Sequence, residues 1–483
     1  MWSDLSPVGI RRDRLMAATI EHGFRRLGGD VILIENGCVV TVDDAQTQHD
    51  PGWVLIDADT IVDIGSGTAP ASARRDAVDI IDADGCAVMP GMVNSHTHLF
   101  QTFFRGLGDD KRLLDWLREY IWPGAENLTA RDVELAASVG MVENLRSGAT
   151  SVLDHQYVHA DPGSDAAACA AAERIGLRYY LARGWADQNY PERLQETSAE
   201  VHERGAVLAA EWHGAANGRI RVEHAPLIPW GCSDESMRRL AAQSTSWGGG
   251  LHTHCGETRE EVALSLDERG LRHIPWLASV GALGPSTQLA HSVWLDDDEL
   301  RIIAASGASV AHCPVSNMYL ASGVARIPEM LALGIPVGLA SDGPGSNNRQ
   351  DLFEAMKVAV LLQKVHSLDP MILQPEDAVR MACRGGARTF GMADTIGMIE
   401  PGRKADLVVV DLRSVFVAPV HRVLSALVFN ATPRDVRDVI VDGRVVIRER
   451  EVLTVDEQKL LADASEAARN LFRRAGITTR ISR

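Results

Sequence analysis

A pair of histidines two residues apart is the first feature of this sequence that could bind a metal ion. His96 and His98 directly follow the apolar run that ends at Val93. Side chains two apart on a strand point to the same face, so both imidazoles could contact one divalent cation. Two polar loop histidines would give the same pattern, and a metal site needs further ligands.

Further candidate residues follow other apolar runs. His254 could add a third nitrogen ligand, and Glu257 stands three residues later. A carboxylate there could carry a proton between a water molecule and a substrate. His291 and Asp342 each end a later run, whereas we interpret His252 as structural because the ligand set is complete without it.

The middle of the chain must position these residues. Short apolar runs alternate there with long helical stretches, including 130–147 and 165–175, and this rhythm predicts repeated βα units. The runs lie near 92–94, 151–154, 178–182, 220–223, 250–253, 288–290, 309–311 and 337–341. Eight such strands form a (β/α)8 barrel, whose chemistry lies at the carboxyl ends of the strands. Each candidate residue stands at such an end.

The two ends of the chain share a different pattern of short β-type runs separated by turn residues, typical of a small β-sandwich. We therefore predict a fold of the α/β class with two domains. Segments 29–89 and 399–455 form one composite β-sandwich, and 90–398 form the barrel. Residues 1–28 are predicted to be an N-terminal extension, and 456–483 a C-terminal helix and tail.

Composition restricts the partners and the location. The chain has 483 residues, a net charge of −17 and 46% hydrophobic residues. This acidic balance argues against nucleic acid or an anionic membrane as the main partner. No apolar run approaches the roughly 20 residues of a membrane span, and residues 1–26 lack an apolar signal core, so we expect a cytoplasmic protein. Seven scattered cysteines without a CxxC motif indicate reduced thiols.

Taken together, the motifs resemble the amidohydrolase superfamily. The strings that carry the resemblance are PGMVNSHTH at 90–98, HCGE at 254–257, AH at 290–291, SDG at 341–343 and GRKADL at 402–407. The sequence is most similar to the cytosine deaminase-like and chlorotriazine hydrolase-like branch, over about residues 30–450. The resemblance implies a barrel with a composite β-sandwich, and homo-oligomers are common in such families.

The resemblance also implies the parts of an active site. One divalent ion is expected, zinc by default, with ferrous iron suited to the same ligands. The implied ligands are His96, His98, His254 and Asp342. Glu257 is the implied proton shuttle, His291 polarises water or substrate, and Asp342 accepts the water proton. Two-metal members use a carboxylated lysine, and no lysine stands at a predicted strand end, so one ion is expected.

The implied reaction is hydrolytic deamination of an aromatic N-heterocycle, a small-molecule substrate. The sequence also resembles the 8-oxoguanine deaminase subgroup and the adenosylhomocysteine/methylthioadenosine deaminase subgroup. The latter usually has a glutamate where Ala125 stands and a histidine where Leu227 stands. These departures favour a free purine, pterin or triazine base over a nucleoside. A dehalogenating triazine hydrolase, a two-metal cyclic amidase and a metal-free scaffold of the same fold are the alternatives.

Six residues are candidate substrate contacts. Tryptophans near a barrel mouth can stack on a flat ring, although they also serve as ordinary core residues. Arg183 could bind a ring carbonyl or form a salt bridge with Asp154 or another acid. Gln101 could reach a ring amide. The six candidates are Gln101, Arg105, Trp116, Arg183, Trp185 and Trp230.

Overall fold

The computed structural model describes residues 30–478, in which seventeen strands form two sheets. The predicted N-terminal extension and the end of the C-terminal tail lie outside the described residues. The first sheet holds β1 (Val31–Val40), β2 (Gln48–Asp57), β3 (Thr60–Ser66), β4 (Asp79–Asp82), β5 (Cys86–Pro90), β14 (Leu407–Asp411), β15 (Val436–Val441), β16 (Arg444–Arg448) and β17 (Glu451–Val452). The second holds β6 (Met92–Thr97), β7 (Ala149–Gln156), β8 (Arg178–Trp185), β9 (Ile220–Pro226), β10 (Leu251–Cys255), β11 (Thr287–His291), β12 (Ser309–His312) and β13 (Val337–Leu339).

The first sheet combines strands from both ends of the chain, as predicted. Its order is β17-β16-β15-β14-β5-β1-β2-β3, with β4 also paired to β1. Ile32 and Ile34 belong to one apolar cluster, whereas Val31 and Leu33 belong to another. Successive side chains point to opposite faces of a strand, so β1 buries both of its faces.

The second sheet is the predicted barrel. Its eight parallel strands pair in chain order from β6 to β13. At the two ends of this order, the Asp342 N–H donates to the carbonyl oxygen of His96 at 3.0 Å, which links the end of β6 to the segment after β13. The carboxyl ends of all eight strands therefore surround one mouth.

Helices connect the strands and cover the barrel. The predicted helices at 130–147, 165–175 and 456–475 are observed with ends shifted by at most one residue. The helices of six residues or more are Ala71–Asp76, Ala130–Arg146, Ser164–Ile175, Ser198–Trp212, Asp234–Ser246, Arg259–Arg269, His273–Ser279, Asp297–Ser306, Pro314–Tyr319, Ile327–Ala332, Leu352–Ser367, Pro375–Arg380, Val423–Phe429 and Glu457–Ala475. The 3₁₀ helix Leu99–Phe104 also has six residues. The shorter turns are Leu113–Trp116, Leu117–Ile121, Trp122–Ala125, Glu192–Leu194, Ala215–Gly218, Pro229–Gly231, Pro344–Asn347, Met381–Gly385, Gly386–Thr389 and Pro433–Asp435.

The fold has two further local features, a helix cap and a set of buried thiols. Asp296 caps the helix Asp297–Ser306 by accepting from the Glu299 N–H, which satisfies one of the free donors at the helix start. All seven cysteines are buried and unpaired. Among the described helices, none combines the length and apolar character of a membrane span.

A buried ion pair joins the barrel to the first sheet. Arg178, at the start of β8, contacts Asp406 through Nε at 2.6 Å and Nη2 at 2.9 Å. Its Nη2 also donates to Asp442 at 2.7 Å. The side chains of Arg178 and Asp406 are only 2% and 1% exposed. Charges removed from water in this way require each other, because either one alone would stay buried without a counter-ion.

Replacing Arg178 with Met should therefore lower the free energy of unfolding by about 3–5 kcal/mol, since it leaves buried carboxylates without their main partner. Urea unfolding would measure the change. The matched control is Arg146→Met, which removes a pair with Glu457 whose side chains are 39% and 29% exposed. That pair should contribute about 1 kcal/mol or less. Equal losses in the two variants would contradict the proposed link between the domains.

Candidate active site

The four predicted metal ligands converge at the mouth of the barrel. The Nε2 atoms of His98 and His254 lie 3.2 Å apart. Asp342 Oδ1 lies 3.4 Å from Nε2 of His96 and 3.4 Å from Nε2 of His98. All four side chains are buried. The residues come from β6, from β10 and from the segment after β13, so the barrel brings together groups far apart in the chain.

Backbone carbonyls determine which nitrogen of two imidazoles is free. Nδ1 of His98 is bonded to the carbonyl oxygen of His155 at 2.7 Å, and Nδ1 of His254 to that of Leu227. A carbonyl only accepts, so each Nδ1 must carry the hydrogen. The two Nε2 atoms of the neutral rings are then both acceptors, and they face each other. Burial lowers the pKa of His98, which keeps its ring neutral.

This arrangement fits a divalent cation. Nε2 of His96 is buried and has no hydrogen-bond partner among the described residues. Facing lone pairs next to a carboxylate oxygen repel each other unless positive charge lies between them. Imidazole nitrogens with one carboxylate are the donor set that zinc or ferrous iron accepts.

Asp342 is held by hydrogen bonds on its second oxygen. Oδ2 accepts from the hydroxyl groups of Ser316 at 2.5 Å and Ser346 at 2.9 Å, so Oδ1 remains directed at the histidines. Burial alone would raise the pKa of Asp342, but the neighbouring histidines, His96 foremost, lower it well below its usual range. The backbone φ of Asp342 is +62°, a conformation that non-glycine residues seldom adopt.

His155 is a fourth imidazole that our sequence analysis did not assign to the site. One ring nitrogen each from His96, His98, His155 and His254 lies within 4.8 Å of the others. The Nε2 of His155 is bonded to the carbonyl oxygen of Ala225 at 3.2 Å, whereas its Nδ1 is buried and has no partner in the described part of the chain. His155 stands near the end of β7, the position that identified the other candidates, so the same rule could have found it.

Glu257 and His291 lie beside this cluster. Nε2 of His291 is 3.7 Å from Oε2 of Glu257, and Ser322 donates to Oε1 of Glu257 at 3.1 Å. Burial raises the pKa of Glu257, and the negative charge of Asp342 acts in the same direction. Nδ1 of His291 contacts Oδ1 of Asn317 at 2.9 Å, which orients the ring. A carboxyl group with a raised pKa holds a proton more readily than a solvated glutamate does, which suits a group that passes a proton to a substrate.

A cavity opens directly onto these groups. It has about 450 Å³ of empty space, part of it open to solvent. Three of the predicted substrate contacts, Gln101, Trp116 and Trp230, line it. Most of the apolar lining could not be predicted from the sequence, because its residues lie between the strands and belong to no distinctive motif. Those residues are Leu113, Leu117, Tyr157, Tyr190, Leu227, Ile228 and Leu320.

The other three predicted substrate contacts lie elsewhere. Arg183 is buried, and its guanidinium contacts Glu196 at 2.8 Å and Asp165 at 3.0 Å, so its charge is already paired. This corrects the prediction of a ring contact in favour of a salt bridge, although Asp154 is not the partner. Arg105 is exposed and pairs with Glu143. Trp185 is 1% exposed and packs in the core against His224, outside the cavity lining.

Known proteins resemble this chain over most of its length. The model described as the amidohydrolase family matches residues 87–446. A 5'-deoxyadenosine deaminase of Methanosarcina mazei is 37% identical over 92% of this chain and 99% of its own length. A 5-methylthioadenosine/S-adenosylhomocysteine deaminase of Pelotomaculum thermopropionicum is 35% identical over 92% of this chain and 99% of its own length.

Solved structures have the same fold. An adenosine deaminase from Xanthomonas campestris with bound zinc has a TM-score of 0.85 at 29% identity, covering 92% of this chain and 98% of its own. An atrazine chlorohydrolase from Arthrobacter aurescens TC1, complexed with zinc, has a TM-score of 0.85 at 25% identity, covering 90% of this chain and all of its own. The predicted deaminase and its triazine hydrolase alternative are thus both represented among the relatives.

Replacing Asp342 with Ala should lower both the bound metal and the rate of the predicted hydrolysis, because it removes a predicted ligand and leaves the imidazoles without an anionic partner. Elemental analysis after dialysis would measure the metal. The control is Asp435→Ala, which removes another buried aspartate, one in the short turn before β15. Metal content that stayed at the wild-type level in the Asp342 variant would show that Asp342 is not a ligand.

Proposed function

The chain belongs to the amidohydrolase family, and from this premise we propose that it hydrolytically deaminates an amino-substituted aromatic heterocycle with one bound divalent ion, zinc by default. One observation carries the proposal. The buried ligand atoms of His96, His98, His254 and Asp342 cluster beside the cavity that Glu257 lines, and burial raises the pKa of Glu257. A cation bound by these atoms would stand next to a proton carrier, as a hydrolysis that expels an amine requires.

The position of each group determines its role in the proposed reaction. When bound, a divalent ion would supply a nucleophilic water molecule at neutral pH and stabilise negative charge. Asp342 accepts the proton of the attacking water as a C–O bond forms at the ring carbon. Glu257 delivers a proton to the adjacent ring nitrogen. The proton held by Asp342 then passes to the exocyclic amino group, the C–N bond breaks, and the added hydroxyl returns its proton to Glu257, so that a ring amidine and water give a ring amide and ammonia.

His291 lies beside Glu257 and supports the same step. Since Nδ1 of His291 contacts Asn317, its Nε2 is the nitrogen that faces the cavity groups. From there it can donate a hydrogen bond to the oxygen that adds to the ring. A donor that is already oriented toward developing negative charge stabilises the transition state at little reorganisation cost.

The cavity lining favours a flat, mostly apolar ring with a few polar edges. Gln101 Oε1 and Trp116 Nε1 are buried and have no partner among the described residues, so one acceptor and one donor are available for ring atoms. The amide nitrogen of Gln101 is held by the hydroxyl of Tyr157 at 3.1 Å. Aromatic and aliphatic side chains cover much of the remaining surface, which suits stacking on a heterocycle.

A nucleoside is the second candidate, favoured by a larger cleft that continues outward from the cavity. This outer cleft has about 1930 Å³ of empty space and shares Leu113, Trp230 and Leu320 with the cavity. It could accept a substituent on the ring, and relatives named as deaminases of modified adenosines support this reading. The carboxylates among the described cavity residues, Glu257 and Asp342, are both assigned to catalysis, so ribose hydroxyls would have to be held by carboxylates of the outer cleft, such as Glu260 or Glu261.

A substrate panel tests the proposed reaction. Zinc-loaded protein would be incubated with adenine, 8-oxoguanine, pterin, cytosine, an aminotriazine, a chlorotriazine, adenosine and 5'-deoxyadenosine, with ammonia and chloride measured in parallel. We expect ammonia from at least one amino-substituted ring and loss of the activity after chelation. Chloride as the only product would favour the dehalogenating alternative. No product from any compound, with zinc bound, would reject the proposal. A kcat/KM at least tenfold higher for a nucleoside than for its base would establish the second candidate.

Replacing Glu257 with Gln should leave metal binding intact and lower kcat by about 10² or more, because the amide cannot transfer the proton. Metal content and turnover on the best panel substrate would be measured together. The control is Glu299→Gln, a buried glutamate at a helix start, where glutamine keeps the capping geometry. Turnover near the wild-type value in the Glu257 variant would remove Glu257 from the mechanism.

A further inference from the structure

A chain of buried side chains leads away from the proposed metal site through the barrel interior. Nδ1 of His96 lies 2.7 Å from Nε2 of His252. Nδ1 of His252 lies 3.2 Å from Oε1 of Gln288, whose Nε2 donates to Oε2 of Glu223 at 3.4 Å. All four side chains are buried, and they stand on four strands, β6, β10, β11 and β9.

The direction of each hydrogen bond in this series of side chains follows from the contact between Gln288 and Glu223. The amide group of Gln288 donates to Glu223, so its oxygen faces His252 and can only accept. The hydrogen of the His252 ring must then be on Nδ1, which leaves Nε2 as an acceptor. His96 accordingly donates from Nδ1. Its lone pair is on Nε2, the nitrogen that faces Asp342.

We propose that Glu223, Gln288 and His252 are positioning residues that set the tautomer of His96 and thereby the affinity of the site for a divalent ion. This inference rests on the proposed function, because it requires that His96 is a metal ligand. None of the three has a polar contact to the substrate cavity. They act through His96, in the manner of hydrogen-bond partners that orient metal-binding imidazoles from outside the coordination sphere.

Glu223 is the last member of this hydrogen-bonded series, and a backbone N–H holds it in place. Its Oε2 also accepts from the Gly250 N–H at 3.1 Å, while Oε1 has no partner among the described residues. Burial raises the pKa of Glu223 to about 8, so the group can be a neutral acid at pH 7 with its proton on Oε1.

A second cavity, of about 600 Å³, borders Glu223, Gln288 and Tyr180. The hydroxyl of Tyr180 also has no partner among the described residues. This cavity is lined by residues at the amino ends of the strands, away from the proposed active site.

Gly250 is required for this contact. A Cβ atom at that position would lie 2.5 Å from the carbonyl oxygen of Ser286 and 2.7 Å from Oε2 of Glu223. Such distances are well inside normal carbon–oxygen contact. Only a glycine lets the backbone N–H approach the buried carboxyl group this closely.

The test uses the full chain and measures zinc affinity directly, by competition with a chromophoric chelator. The variant Gln288→Met keeps the size of the side chain but removes the acceptor. The His252 ring can then carry its hydrogen on Nε2, which forces the His96 hydrogen onto the nitrogen that faces Asp342. We expect the zinc Kd to rise about 10- to 100-fold. Gln288→Glu restores an acceptor and should recover most of the affinity.

The matched control is Gln243→Met. Gln243 is also the partner of a buried histidine, since its Oε1 lies 2.8 Å from Nε2 of His224, but this pair has no contact with the site. The control should keep the wild-type Kd. Equal Kd values for wild type and Gln288→Met would overturn the proposal, as would an equal loss in Gln288→Met and Gln288→Glu. Wild-type protein that binds no zinc would instead contradict the proposed function itself.

Failure of Gln288→Met to fold would not end the test. Circular dichroism and the thermal midpoint of each variant would identify that case, and His252→Leu would then replace it. A leucine side chain offers no acceptor to Nδ1 of His96, so the zinc Kd should rise by a similar factor. A folded His252 variant with unchanged affinity for zinc would equally overturn the proposal.

Discussion

The structure depends on one electrostatic constraint, which is that acceptor atoms meet in a buried space. The free nitrogens of His98 and His254 lie 3.2 Å apart, with a carboxylate oxygen 3.4 Å from His98. Neutral imidazoles and an anionic oxygen do not approach each other in a low-dielectric interior without positive charge among them. Carbonyl groups fix the opposite edges of both rings, so the rings cannot rotate to relieve the repulsion.

The pKa values of the two carboxyl groups in the cavity are shifted in opposite directions. Asp342 is surrounded by histidines and hydroxyl donors, which lower its pKa, whereas burial raises the pKa of Glu257. Groups whose environments separate their pKa values can act as base and acid in one reaction. The barrel places the two residues on different strand ends, so that Asp342 faces the histidine cluster, whereas Glu257 is buried within range of the negative charge of Asp342.

Beyond the cavity, buried polar groups serve two distinct purposes. The ion pair of Arg178 with Asp406 joins the barrel to the first sheet, and that of Arg183 with Glu196 and Asp165 lies within the barrel. The chain from His96 to Glu223 is different, because it consists of hydrogen bonds whose directions depend on one another. A buried network of this kind specifies a single arrangement only when every member has its partner.

The sequence by itself determined the barrel, the composite sheet and the main candidate residues of the site, because strand periodicity and position at strand ends are local properties. The family resemblance added their roles. Only the tertiary structure decided that Arg183 pairs with acids, that His155 joins the cluster and that His252 contacts His96. Those outcomes depend on which side chains of neighbouring strands meet, and this is set by strand register and by packing between residues far apart in the chain.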